Sequence, residues 1–226
     1  RGGRAVHRLV RRLLEQQSFS DPGVLKWLAE HAAARFVTFE QEETLARHYE
    51  VRDVPSLVVL DAEGGFGGTL TGYRPTARLL KDLATLAERA TAQLKRAAGL
   101  EAQLKVARPE AELELLDTLA ELSMERRLFA RAEGAMRELL KRPGVAQARA
   151  LAQLLARHAL ALAELGRAEA ADRAFEQALA ADTLKAQGEE LAFRRAQAQT
   201  VCGKHARAAQ LWARHLEEFP KSARRG

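Results

Sequence analysis

The chain has 226 residues, 47% of them hydrophobic and 29% charged, with a formal net charge of +6 and a sequence pI near 9.8. That length allows one large domain or two small ones, with enough apolar residues for real cores. Aromatics at 5% and only six prolines, in a chain dense in Ala, Leu, Arg and Glu, argue against a large β-sandwich and predict a mostly helical protein.

The basic balance raises nucleic acid or an anionic membrane surface as partners. The distribution of charge argues against both, because acidic residues are interleaved nearly everywhere, as in RAEAADRAFEQALAAD (167–182). The one basic concentration is Arg1, Arg4, Arg8, Arg11 and Arg12. On a helix, Arg4, Arg8, Arg11 and Arg12 share a face, which reads as a solvated surface or as an anion-binding or partner-docking face. No aromatics interleave there to stack bases. The longest apolar stretches, such as LAQLLARHALALAEL (151–165), are interrupted by Arg and His and fall short of the roughly 18 residues of a membrane span. No signal peptide is visible, and the start at Arg1 rather than Met reads as processed or trimmed. One cysteine excludes an internal disulfide and does not separate cytoplasm from an oxidising compartment.

In chain order, residues 4–17 place Val6, Leu9, Val10, Leu13 and Leu14 on one helix stripe. SFSDP breaks it; Ser20 or Asp21 caps a second helix, with Pro22 at its first position, running to about Ala33. RFVTF (35–39) is a strand candidate, EETLARHYE (42–50) a short helix, and SLVVLD (56–61) a strand bounded by turn signals. DAEGG (61–65) is the turn, GGTLTGY (67–73) a glycine-rich edge strand or bulge, and residues 76–99 one long amphipathic helix.

The ordered set FSDPGV (19–24), FVTF (36–39), YEVRDVPSLVVLD (49–61), Gly64 and Gly72 resembles the thioredoxin superfamily, in particular bacterial thioredoxin-like proteins, over roughly residues 4–92. The resemblance implies a cis Pro55, with Val54 facing the groove where substrate cysteines bind, both near the start of the first helix. The family's cysteine pair would fall on positions held here by Arg8 and Arg11. Without a thiolate there is no nucleophile for thiol–disulfide exchange. Either the site has lost its thiols, or a Cys-x-x-Cys lies upstream of Arg1. Cys202 is far from it, in a helical repeat, and reads as an inert buried thiol.

The second half repeats. Residues 123–144, 162–183 and 199–220 superimpose, and the frame resembles the tetratricopeptide repeat. Its turn, small, aromatic, small and proline positions are Gly166, Ala171, Phe175, Ala178 and Thr183 in the middle unit. They are Gly203, Ala208, Trp212, His215 and Pro220 in the last. In the first they are Arg127, Ala132, Met136, Leu139 and Gly144, with Pro143 one place early and Arg127 a departure from the turn glycine. The small position of each first helix is Ala120, Ala159 or Ala196. The units start 39 and 37 residues apart, and three of them meet the minimum for a stable stack.

The fold class expected is therefore an α/β thioredoxin-like domain (1–95), a connecting helix or linker (96–108), and three tetratricopeptide-like helical hairpins (109–226). The repeat resemblance implies a concave face lined by first helices at about 110–125, 147–165 and 185–202. Its outward polar positions are Glu121, Glu125, Arg149, Gln153, Arg157, Gln187 and Arg194. Those on the last two helices are basic or amide, which favours an acidic peptide.

No histidine pair among His7, His31, His48, His158, His205 and His215 has zinc-protease spacing, and no Cys/His cluster exists. His158 and His215 read as packing residues. EQEE (40–43) lacks the alternation of a calcium loop and reads as acidic bias at a helix start. GGFGG (64–68) is a turn rather than a phosphate loop, and no Gly-x-Ser-x-Gly is present. No cofactor is expected. Three readings follow: a redox-inactive interaction or scaffold module whose partner is another protein or peptide, a thiol–disulfide oxidoreductase with upstream cysteines, and a structural subunit of an assembly. The Ala- and Arg-rich usage suggests a GC-rich bacterium, and relatives with the FSDP pattern point to the cell envelope.

Overall fold

Asp21 sets the first helix in the computed structural model of the chain, which describes residues 19–38, 42–143, 145, 150–182 and 187–223. Its Oδ1 accepts hydrogen bonds from the amides of Gly23 (2.8 Å) and Val24 (3.3 Å), satisfying two of the free donors at the start of α1 (Pro22–His31). The chain divides into two compact units, Arg1–Ala98 and Gly99–Gly226.

In the first unit α1 is followed by α2 (Glu43–His48) and by an antiparallel pair, β1 (Ser56–Leu60) and β2 (Phe66–Thr71), with Ser56 opposite Thr71 and Leu57 opposite Leu70. The DAEGG turn is held by Asp61, whose Oδ1 accepts from the amides of Glu63 (2.9 Å) and Gly65 (2.8 Å). Then comes α3 (Thr76–Leu104), which lies against β2. The glycine pair of β2 has a steric cause. A Cβ on Gly67 would stand 2.8 Å from the Cβ of Ala90, and one on Gly68 would stand 2.6 Å from Cδ2 of Leu86. Val24, Leu70, Leu79 and Leu83 form the core of this unit, with Phe19, Trp27, Leu57 and Val59 packed around them.

One expectation changes here. RFVTF forms no strand over its described residues 35–38: Phe36 is 69% exposed and Val37 46%, and β1 and β2 pair only with each other among the described residues. High β propensity without a ladder partner does not make a strand. The stretch expected as a connecting helix or linker, 96–108, is helical as far as Leu104, so α3 runs across the boundary between the units and residues 105–108 break it. The helix expected over 4–17, with Arg8 and Arg11, lies outside the described residues.

The second unit is helical throughout its described elements: the end of α3, then α4 (Pro109–Glu125), α5 (Phe129–Leu140), α6 (Leu151–Glu164), α7 (Ala168–Ala181), α8 (Gly188–Val201) and α9 (His205–Glu218). They form three successive hairpins, α4–α5, α6–α7 and α8–α9. Among the described residues the chain is thus mostly helical with one small two-stranded antiparallel sheet. No helix among the described residues is long and apolar enough to cross a membrane.

Candidate functional site

The three hairpins share one turn. Arg127, Gly166 and Gly203 all have left-handed φ, at 56°, 72° and 70°. At each turn the amide two residues past the helix C-cap returns to a carbonyl five residues back: Leu128 to Ser123, Arg167 to Leu162, and Lys204 to Gln199, all at 2.9 Å. The amide of the left-handed residue itself bonds the carbonyl three residues back, completing a Schellman cap. Glycine suits that φ; Arg127 adopts it despite carrying a Cβ. Behind the turns Ala120, Ala159, Ala196, Ala132, Ala171 and Ala208 are all buried, so the helix backbones approach closely. Met136 and Phe175 are fully buried opposite them, while Trp212 is half-buried with its ring edge-on to Phe193. His215 is 1% exposed among Phe193, Trp212 and Phe219, which fits the packing role read for it.

The first-helix face residues differ in what they are free to do. Gln153 is exposed, and Gln187 and Arg194 are half-buried. Arg149 lies outside the described residues. Arg157 is not a free cation: its two terminal nitrogens each sit 2.5 Å from a carboxylate of α4, Asp117 and Glu121. Arg194 is paired with Glu190 one turn back. The basic face read from the sequence is therefore largely neutralised within the chain. On α4 the sign reverses: Glu110, Glu112, Glu114, Asp117, Glu121 and Glu125 share a helix that carries no basic residue of its own.

In the first unit the Val54–Pro55 bond is cis, as the resemblance implied. Val54 is 41% exposed, and the Pro55 carbonyl accepts from the Gly72 amide (2.9 Å) at the end of the hairpin. The expected neighbour of Pro55, residues 4–8, lies outside the described residues.

Sequence reasoning missed the charged joints between hairpins. Asp172 on α7 takes Arg195 of α8 at 2.5 Å and Arg207 of α9 at 2.9 Å, and Glu176 takes the other end of Arg195 at 2.6 Å. Arg195 is 5% exposed. Burial works to raise the Asp172 carboxyl, but hydrogen bonds from Arg195 and Arg207 outweigh it and hold the group below its ordinary value. In the preceding joint, Glu133 on α5 is 6% exposed and stands 3.3 Å from Arg137 and 3.5 Å from His158 Nε2 of α6. The signal was in the repeat frame: Glu133 and Asp172 each lie six residues after their turn residue, and His158 and Arg195 each lie eight before the next.

An open cleft of about 240 Å³ lies beside the second joint, lined by Ala168, Glu169, Asp172, Gln199, Lys204 and Arg207. Its charges are paired across it, Asp172 with Arg207 and Glu169 with Lys204 at 3.4 Å. The Cys202 thiol is half-buried and donates to the Ala163 carbonyl (3.3 Å). Burial, then the nearby Glu164 and Glu169, push it above its ordinary value, which disfavours the thiolate. Among the described residues no group of three or more His, Cys, Asp or Glu is placed to hold a metal ion. Set against known protein families, curated proteins and solved structures, the chain finds no match.

Proposed function

We propose that this chain is an interaction module, a thioredoxin-like unit without a paired thiol joined to three tetratricopeptide-like hairpins that bind a partner protein or peptide. The observation that carries it is the threefold recurrence of one Schellman turn, at Arg127, Gly166 and Gly203, backed each time by buried alanines. Stacks of such hairpins leave one face of their first helices free for a peptide. The step from stack to binding is an analogy at the level of the fold. The order of α1, α2, the β-hairpin and α3, with Pro55 just before β1, supports the thioredoxin-like half. The single cysteine, whose thiol is held protonated, supports a non-redox role.

On the second and third hairpins the polar groups offered to a partner are Gln153, Gln187 and the end of the Arg194 guanidinium beyond its Nε bond to Glu190, which suit the carboxylates and backbone of an acidic peptide. Arg157 belongs to the scaffold instead, tying α6 to α4.

The test is a random peptide library selected on the full chain. Peptides enriched in Asp and Glu should emerge and should weaken about tenfold, or 1.4 kcal/mol, when Gln153→Glu and Arg194→Glu are combined. Val54→Asp should leave their affinity unchanged. Loss with Val54→Asp alone would move the site to the groove beside Pro55, and failure to select any peptide would count against the module itself.

A further inference from the structure

We propose that the joint between the first and second hairpins is a proton-sensitive device, in which uptake of a proton by His158 loosens the packing of α6 on α5 while the next joint stays closed. The two joints occupy the same frame positions with different chemistry. The second has Asp172 and Glu176 facing Arg195, with Arg207 beside them: two acids and two permanent bases. The first has one acid, Glu133, already facing Arg137 of its own helix at 3.3 Å and Arg167, at the start of α7, at 3.9 Å. Neutral His158 completes that set. A protonated ring would be the third cation around one buried carboxylate.

The other charges near this helix do not alter the balance. Asp117 and Glu121 of α4 are taken by Arg157. From α5 the groups acting on the ring are Glu133 and Arg137, and from α7 Arg167 acts through Glu133. Burial pushes the imidazole below its ordinary value; Glu133 pulls the other way without overcoming it, and Arg137 adds to the push. The sign follows. A histidine whose folded value is depressed leaves stability intact above the unfolded value of about 6.5 and removes it as the pH falls below that. The neighbouring joint, built on Arg195, Arg207, Asp172 and Glu176, carries no histidine.

The experiment uses the full chain and two readouts. Imidazole NMR signals of His158, assigned through bonds in the native protein, should titrate below the ordinary histidine value of about 6.5. Amide protection factors, each corrected for the intrinsic exchange rate at its pH, should fall in α5 between pH 7.5 and 5.5, because the opened state, with its ring free at about 6.5, binds the proton more strongly than the folded one. Those of α8, where Phe193 packs on His215, should be the same in His158→Gln as in the native chain. His158→Gln should abolish the fall in α5. A His158 midpoint at or above about 6.5 overturns the proposal, as does a fall in α5 that persists in His158→Gln. If that variant does not fold, the ring titration of the native chain decides alone.

Discussion

At Gly166 one missing Cβ decides how a helix ends. Its φ of 72° is the left-handed region, where an L side chain costs about 1–2 kcal/mol. Gly166→Ala should therefore lower the unfolding free energy by about that amount in urea, although nothing lies within 4 Å of the new methyl group. Gly99 supplies the control, since it is helical in α3 with open space around its Cβ position. Gly99→Ala should raise stability by about 1 kcal/mol, the helix preference of alanine over glycine. Equal effects at the two sites would mean that the turn relaxes to another conformation. Cys202 is legible at the same scale. Its thiol donates to the Ala163 carbonyl and is held above the ordinary value by burial and by Glu164 and Glu169. Alkylation by iodoacetamide at pH 7.5 should be slower than that of glutathione and should accelerate as pH rises. A faster rate than glutathione would contradict the inert role.

Between elements, close approach and charge pairing decide what a substitution does. Gly67→Ala sets a methyl group 2.8 Å from the Ala90 Cβ and 3.2 Å from the Leu86 carbonyl, so β2 must move off α3. The expected loss is about 1–3 kcal/mol, the usual cost of overpacking, read from urea unfolding of the first unit. In the second unit, Arg195→His places a titratable ring where the surrounding acids, Asp172 and Glu176, outnumber the remaining base Arg207. Its protonated form is favoured there, so the folded value rises. Stability contributed by that ring is fully present below about pH 6.5 and lost as pH rises through the higher folded value, opposite in sign to His158. Melting temperatures of this variant, compared with wild type from pH 5.5 to 8.5, should show a deficit that grows with pH. A deficit that shrinks with pH would mean that burial outweighs the two carboxylates. The native Asp172 pairing weakens only as pH falls toward and below about 4, where the unfolded carboxyl takes a proton.

Over the whole molecule, what was legible in the sequence is what local rules enforce. The Asp21 cap, the Asp61 turn and the three hairpins follow from capping chemistry, turn residues and a 3.6-residue period, and each appears where those rules put it. Residues 35–38 of RFVTF form no strand, because strand formation depends on a partner that propensity does not supply, and none pairs with them among the described residues. Arg157 was placed on the correct helix, but a linear reading cannot say which acids of α4 reach it. That missing information decided whether the residue was a free cation or a tie between helices. Redox chemistry tests the remaining global expectation. Exchange between thiols and disulfides needs an attacking thiolate and, to release the mixed disulfide, a second thiol. This 226-residue chain carries one thiol, half-buried and with its thiolate disfavoured. Added to insulin with dithiothreitol, it should leave the rate of precipitation at the uncatalysed value. Cys202→Ser should change nothing, because that thiol contributes nothing. Acceleration lost in Cys202→Ser would assign the chemistry to Cys202, against its environment. Acceleration that survives the substitution would have no thiol to explain it and would require a different mechanism altogether.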